Sequence, residues 1–230
     1  MTYVIFCVVL PLFNKKLLAI AVIFIVLLFT SSVAIMIWWT TREPIDLGYS
    51  EIREYEGKDL SSIINFRPNS IKGPQQIDNQ TYTLTVTGLL KNELELTYNG
   101  VLSNYQSYKK VVTLFCVEGW RVTILWEGIK LQDMLADAQV ESEANTVIFR
   151  AYDGYSTSLP LDYIIDNNIL MAYKMNNVTL PAERGYPFQL VAESKWGYKW
   201  IKWITSIELS DNPDYKGFWE SRGYDNDADL

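Results

Sequence analysis

The chain has 230 residues, two cysteines, no histidine and a net charge of −7, with 27 acidic residues against 20 basic ones. Histidine is the commonest metal ligand and acid–base group, so His-type zinc sites, His-ligated haem and Ser-His-Asp or Cys-His hydrolases are all excluded. The acidic balance argues against nucleic acid as a partner.

In chain order, residues 1–16 read as a leader. Thr2–Phe13 is apolar but short and interrupted by Pro11. Leu17 to Trp39 is a nearly unbroken apolar run without a charged residue, ending in Trp38-Trp39. A bilayer needs roughly 20 apolar residues, and paired tryptophans suit its interface. A cleaved signal has a shorter apolar core of about 7–15 residues, so one uncleaved transmembrane helix over 17–39 is expected. Lys15-Lys16 precede it and Arg42 and Glu43 follow, which places the N-terminus inside and the remaining domain outside. Cys7 then sits in or near the membrane, which leaves Cys116 unpaired. Residues 40–76, punctuated by Pro and Gly and carrying the charged patch Glu51–Asp59, read as a stalk that merges into a domain over 77–230.

From Thr81 the pattern becomes that of a compact mixed domain. Tyr82, Leu84 and Val86 alternate with threonines, as in a half-buried strand that Gly88 ends. Val111–Val117 is a β-branched, apolar run that carries Cys116 to a strand end. Gly128 is expected to break the chain before a helix whose Leu131, Met134, Leu135 and Ala138 share one face. Thr146–Phe149 predicts a strand, Asp153-Gly154 a turn, and Pro160 the first position of a helix with Leu161, Ile164 and Ile165. Leu170–Lys174, Phe188–Ala192 and Trp200–Leu209 supply further strands, and Asp225–Leu230 should fray. Strands outnumber helices, and neither a Gly-rich phosphate loop nor regular β–α alternation is present. The expected class is α+β, predominantly β.

Three blocks in register now resemble the sulfite-oxidase superfamily of molybdopterin-binding oxidoreductases, in its haem-free, single-domain prokaryotic form. The first is Phe115-Cys116-Val117-Glu118-Gly119-Trp120, continuing to Trp126-Glu127-Gly128. The second is Asp153-Gly154-Tyr155-Ser156-Thr157-Ser158-Leu159-Pro160. The third is Leu180-Pro181-Ala182-Glu183-Arg184-Gly185-Tyr186-Pro187, followed by Gly197-Tyr198-Lys199-Trp200-Ile201-Lys202-Trp203. The tail Gly217 to Tyr224 is also similar and should pack back onto the domain.

The resemblance implies that Cys116 supplies the one protein thiolate to molybdenum, the pterin dithiolene providing the other sulfurs. The plainer alternative for a single cysteine is a buried structural thiol. Glu118 would follow Cys116 onto the same strand face, where burial would raise its pKa and let it relay protons. Its alternative is a turn carboxylate before Gly119. Arg184, Lys199 and Lys202 are implied at the pterin and its phosphate, since Arg grips phosphate as a fork and Lys as a point charge. Lys199 and Lys202 would reach one phosphate only from an irregular loop. Trp200 and Ile201 lie between them, and Arg67 joins the set through the segment Asn65-Phe66-Arg67. Two positions depart from the family pattern: Arg184 stands where many members carry His or Asn, and Gln189 where many carry Arg. No twin-arginine pair precedes the membrane run.

The expected activity is that of a membrane-anchored oxidoreductase with a molybdopterin cofactor. It would perform oxygen-atom transfer or reduction of a small sulfoxide- or sulfite-like substrate in the extracytoplasmic space. With no His and no cysteine cluster, the chain would need a separate electron-transfer protein, for example a membrane cytochrome. The alternative is a binding or scaffold module that kept the fold and lost the cofactor.

Overall fold

In a computed structural model, residues 51–230 are described. The leader and the transmembrane helix expected over 17–39 lie outside the described residues. Among the described residues, no helix is long and apolar enough to cross a membrane.

The segment expected as a stalk is part of the domain from its first described residue. The Glu51 carboxylate accepts the Ile63 backbone N–H (2.8 Å), the Ser62 hydroxyl (3.1 Å) and the Asn176 amide (3.0 Å). A short hairpin, β1 (Glu54–Tyr55) and β2 (Lys58–Asp59), follows, and Leu60 and Ile63 are buried behind it.

The strand β3 (Thr83–Gly88) keeps the alternation read in the sequence, with Leu84 and Val86 fully buried. It turns back into β4 (Leu94–Thr97), and Thr97 then caps helix α1 (Tyr98–Asn104) by accepting the Gly100 N–H at 3.0 Å. Next come the long strands β5 (Ser107–Phe115) and β6 (Arg121–Lys130), paired from Ser107↔Ile129 to Phe115↔Arg121. Gly128 does not break the chain but lies inside β6. A Cβ there would stand 2.3 Å from the Met171 carbonyl oxygen, so glycine lets β9 (Leu170–Met175) approach at a bulge.

Helix α2 (Leu131–Ala138) buries the four residues its spacing predicts. The strands β7 (Thr146–Ala151) and β8 (Ser156–Pro160) flank the turn at Asp153-Gly154. Helix α3 (Leu161–Asp166) takes Pro160 as its N-cap rather than its first position, and Ile165 is exposed while Ile164 is buried. The chain closes with β10 (Val178–Thr179), β11 (Gln189–Val191) and β12 (Ile204–Ser210). The strand expected from Trp200 starts only at Ile204. Residues 197–203 instead form a 3₁₀ turn and an irregular stretch in which Trp203 takes φ +57°.

The first sheet is ordered β4-β3-β12-β7-β8, with β3 and β12 parallel, and the second β10-β9-β6-β5, with β11 also on β9. Leu84, Val86 and Ile207 of the first sheet share one apolar core with Ile124, Trp126, Met171 and Leu190 of the second. The C-terminal residues do not fray. Ala228 is buried, its carbonyl accepts the Trp196 N–H at 2.8 Å, and Asp229 pairs with Lys195 at 2.6 Å. A small apolar side chain with backbone partners on both sides is enough to seat that end.

Candidate functional site

The hairpin between β5 and β6 places Cys116. β5 ends at Phe115, and a tight turn follows in which the Gly119 N–H donates to the Cys116 carbonyl (3.0 Å) and the Cys116 N–H to that of Trp120 (2.9 Å). Gly119 closes this turn at φ +87°, a conformation glycine adopts without a Cβ clash. The chain therefore reverses where the sequence suggested a continuing strand. Cys116 is buried at the first turn position, while Val117 and Glu118 project as exposed side chains.

Cys116, a residue 7% exposed, lines a cavity of about 400 Å³. Burial pushes its pKa up, the Glu118 backbone N–H pulls it down, the Glu118 carboxylate raises it, and the Asn69 amide, 3.7 Å from the sulfur, lowers it. The net rise favours the protonated thiol until a cation displaces the proton. Glu118 sits at the cavity rim, where the Trp120 indole N–H donates to it at 3.1 Å. The Asn69 amide, that indole and the Arg67 charge hold its pKa below the usual carboxylate value. This corrects the expected rise, since the turn leaves Glu118 in solvent instead of burying it beside the cysteine.

The facing wall is built by the third sequence block. A 3₁₀ turn over Ala182–Arg184 ends at Gly185, φ +102°. Arg184 is buried, stacks its guanidinium 3.7 Å from the centre of the Phe66 ring, and donates from Nη2 to the Phe66 carbonyl at 2.7 Å. Its Nε and Nη1 have no hydrogen-bond partner among the described residues. Gly185 lets Lys202 pack closely, because a Cβ there would meet Lys202 Cγ at 2.9 Å. The Lys202 ammonium donates to the Glu183 carbonyl (3.2 Å) and lies over the Trp203 ring. Burial first, and the Arg184 charge second, depress its pKa to about 8 against the pull of Asp153 and Glu183.

The irregular turn over 197–203 brings Trp200 and Ile201 to the same cavity, and Arg67 reaches its rim. Lys199 is not brought there. It is fully buried, paired with Glu220 at 2.7 Å and donating to the Ser158 carbonyl (3.0 Å) and Asn226 (3.3 Å). A desolvated ammonium needs a counter-charge, and the returning tail supplies one away from the cavity.

Asp153, Asn69, Trp219 and Tyr224 are among the lining residues that escaped the sequence reading. Asp153 is buried with its carboxylate accepting the Tyr155 N–H at 3.0 Å, yet its Asp-Gly context signalled only a turn. Asn69 lies in the segment read as a stalk. Trp219 and Tyr224 come from the tail, whose return was expected but whose contribution to the wall had no local signal.

The wall suits a large anionic cofactor. A buried guanidinium with two open donors beside a lysine could receive a phosphate, and a buried thiol on the same cavity could ligate a metal that arrives held by sulfur. Comparison with known proteins agrees. The family model described as oxidoreductase molybdopterin binding domain matches residues 71–219. An uncharacterised oxidoreductase of Bacillus subtilis, YuiH, is 32% identical over 152 residues, covering 66% of this chain and 76% of that protein. The protein-methionine-sulfoxide reductase catalytic subunit of Gluconobacter oxydans is 31% identical over 148 residues, covering 57% of this chain. The chain spans about half of that relative's length, 47%. Among solved structures, the sulfane dehydrogenase SoxCD of Paracoccus pantotrophus shares the fold, with a TM-score of 0.58 at 22% identity over 61% of this chain and 41% of that one. The chain belongs to the molybdopterin-binding oxidoreductase family of sulfite-oxidase type, and its cofactor is molybdopterin.

Proposed function

We propose that this chain is a membrane-anchored catalytic subunit that reduces a small neutral oxo substrate of the sulfoxide class, with Cys116 as the protein ligand to molybdenum. The observation that carries the reading is one cavity lined by both the buried Cys116 and Arg184, whose guanidinium keeps unpaired donors. Cys116 would bind the metal, and Arg184 and Lys202 would hold the phosphate end. When bound, the cofactor supplies two-electron oxygen-atom chemistry.

The chain's own residues orient and select. Trp200 and Ile201 give the cavity apolar surface, and the tail residues Trp219 and Tyr224 add aromatic surface to it. Glu118, held ionised by Asn69 and Trp120, acts at the mouth as an acceptor and a fixed negative charge. That charge disfavours sulfite at the mouth, where Arg67 offsets part of it, and the neutral Gln189 on the wall adds no cation of its own. A neutral sulfoxide meets neither obstacle. The Gluconobacter relative, by name, acts on methionine sulfoxide, which supports this choice.

We further propose that residues 1–16 are a leader and 17–39 the membrane helix, which tethers the catalytic domain outside the cytoplasm. Electrons would arrive from a separate membrane-bound carrier, which the anchor confines to the same surface and so concentrates.

The test is turnover by the full chain in detergent with an artificial electron donor, with molybdenum and pterin measured on the same sample. The expected result is sulfoxide reduction by wild type and none by Cys116→Ser. Equal turnover by the two at matched molybdenum content, or preferential sulfite oxidation, contradicts the proposal.

A further inference from the structure

We infer that Asn69 is a positioning residue that tunes the Cys116 sulfur: its side-chain amide donates to that sulfur and so raises the reduction potential of the metal bound there. The inference rests on Cys116 being the metal ligand.

The Asn69 Nδ2 lies 3.7 Å from the Cys116 sulfur, at N–H···S distance, although 47 residues separate the two in sequence. The segment leading to Asn69 is anchored at Phe66. The Phe66 ring is packed by Trp120 (centroids 5.5 Å apart) on the cysteine side and by the Arg184 guanidinium on the other, and its carbonyl accepts from Arg184. The chain is thus anchored three residues before Asn69, and the amide itself meets Cys116 and Glu118.

The sulfur also faces the Glu118 backbone N–H, which substitution cannot remove, so Asn69 supplies the adjustable part of its environment. The same amide stands beside the Glu118 carboxylate, whose other support is the Trp120 indole. A neutral donor serves both groups, which neither a carboxylate nor an alkyl side chain can do. An N–H aimed at a thiolate withdraws electron density from it. This favours the electron-rich, reduced state of the metal, as outer hydrogen bonds to ligating sulfur do in other centres.

The experiment compares the cofactor-loaded full chain with its Asn69→Leu and Asn69→Ala variants. Asn69 is exposed at the rim, so both changes leave the core untouched. Potentiometric titration and the thiolate-to-metal charge-transfer absorption are read, together with cofactor content and thermal midpoint. The expected result is a lower reduction potential and a charge-transfer band moved to longer wavelength in both variants, at wild-type cofactor content and midpoint. Unchanged potential and band overturn the inference. So does loss of cofactor from both variants, which would make Asn69 a retaining residue. A charge-transfer band that persists in Cys116→Ser identifies a different failure, that of the ligand assignment itself.

Discussion

Cys116 and Lys202 line one cavity with opposite electrostatic problems, a thiol that burial keeps protonated and an ammonium that burial makes ready to lose its proton. Under the proposed function Cys116 would meet a metal and Lys202 an anion, which would answer both. Replacing Lys202 by Met removes a charge-assisted hydrogen bond worth about 1.5–3 kcal/mol, so cofactor retention after dialysis should fall about 10- to 150-fold. The pH dependence follows from the depressed pKa. As pH rises through about 8 the free lysine loses its charge, so the cofactor-free domain should bind cofactor progressively less well, and Lys202→Met should flatten that profile. The stability effect has the opposite sense. Between about 8 and the ordinary 10.5 the unfolded chain holds the proton that the folded chain has lost, so Lys202 makes the cofactor-free domain more stable as pH rises across that window. Urea titrations at two pH values, with and without the substitution, measure this difference.

The C-terminal tail is the element that most changes the picture drawn from the sequence. It brings Glu220 into a fully buried pair with Lys199, and Thr157 donates to the same carboxylate oxygen at 2.5 Å. Burial outweighs the Glu220 attraction in lowering the Lys199 pKa, so the pair fixes the tail at a desolvation cost. Removing one partner strands the other: Glu220→Gln should destabilise the domain by about 3–5 kcal/mol and alter Trp219 fluorescence in the cavity wall. Combining it with Lys199→Met should recover most of that loss, which denaturant unfolding would show. Recovery of nothing would mean that the tail is held by other contacts. Lys199 also shows where sequence reasoning stops. The strand β3, helix α2 and the Asp153-Gly154 turn were legible because each is set by local periodicity or turn chemistry. The side of the chain on which Lys199 lies depends on a carboxylate 21 residues later, at Glu220, and no local pattern encodes it. Gly128 misled for a related reason: glycine marks a break or a close approach, and only the partner strand decides between them. The Cys-Val-Glu-Gly-Trp block does line the cavity, but Gly119 makes it a turn, which moved Glu118 from the buried face to the rim.

At the scale of the whole molecule, the cavity carries the only cysteine among the described residues, and the full chain has no histidine. A conventional haem or a cysteine-ligated iron–sulfur cluster therefore has no ligand set in this chain. The purified full chain should show no haem absorbance and should turn over only with artificial donors. It should also sediment with membranes and remain there in alkaline carbonate, and its release would remove the proposed anchor. The central claim is more local, that one protein sulfur completes the metal's coordination. Molybdenum-edge X-ray absorption on wild type and Cys116→Ser, matched for metal content, tests it most directly. The account predicts one fewer sulfur neighbour in the variant with the pterin sulfurs retained, whereas an unchanged sulfur count would place Cys116 outside the metal's coordination sphere and contradict it.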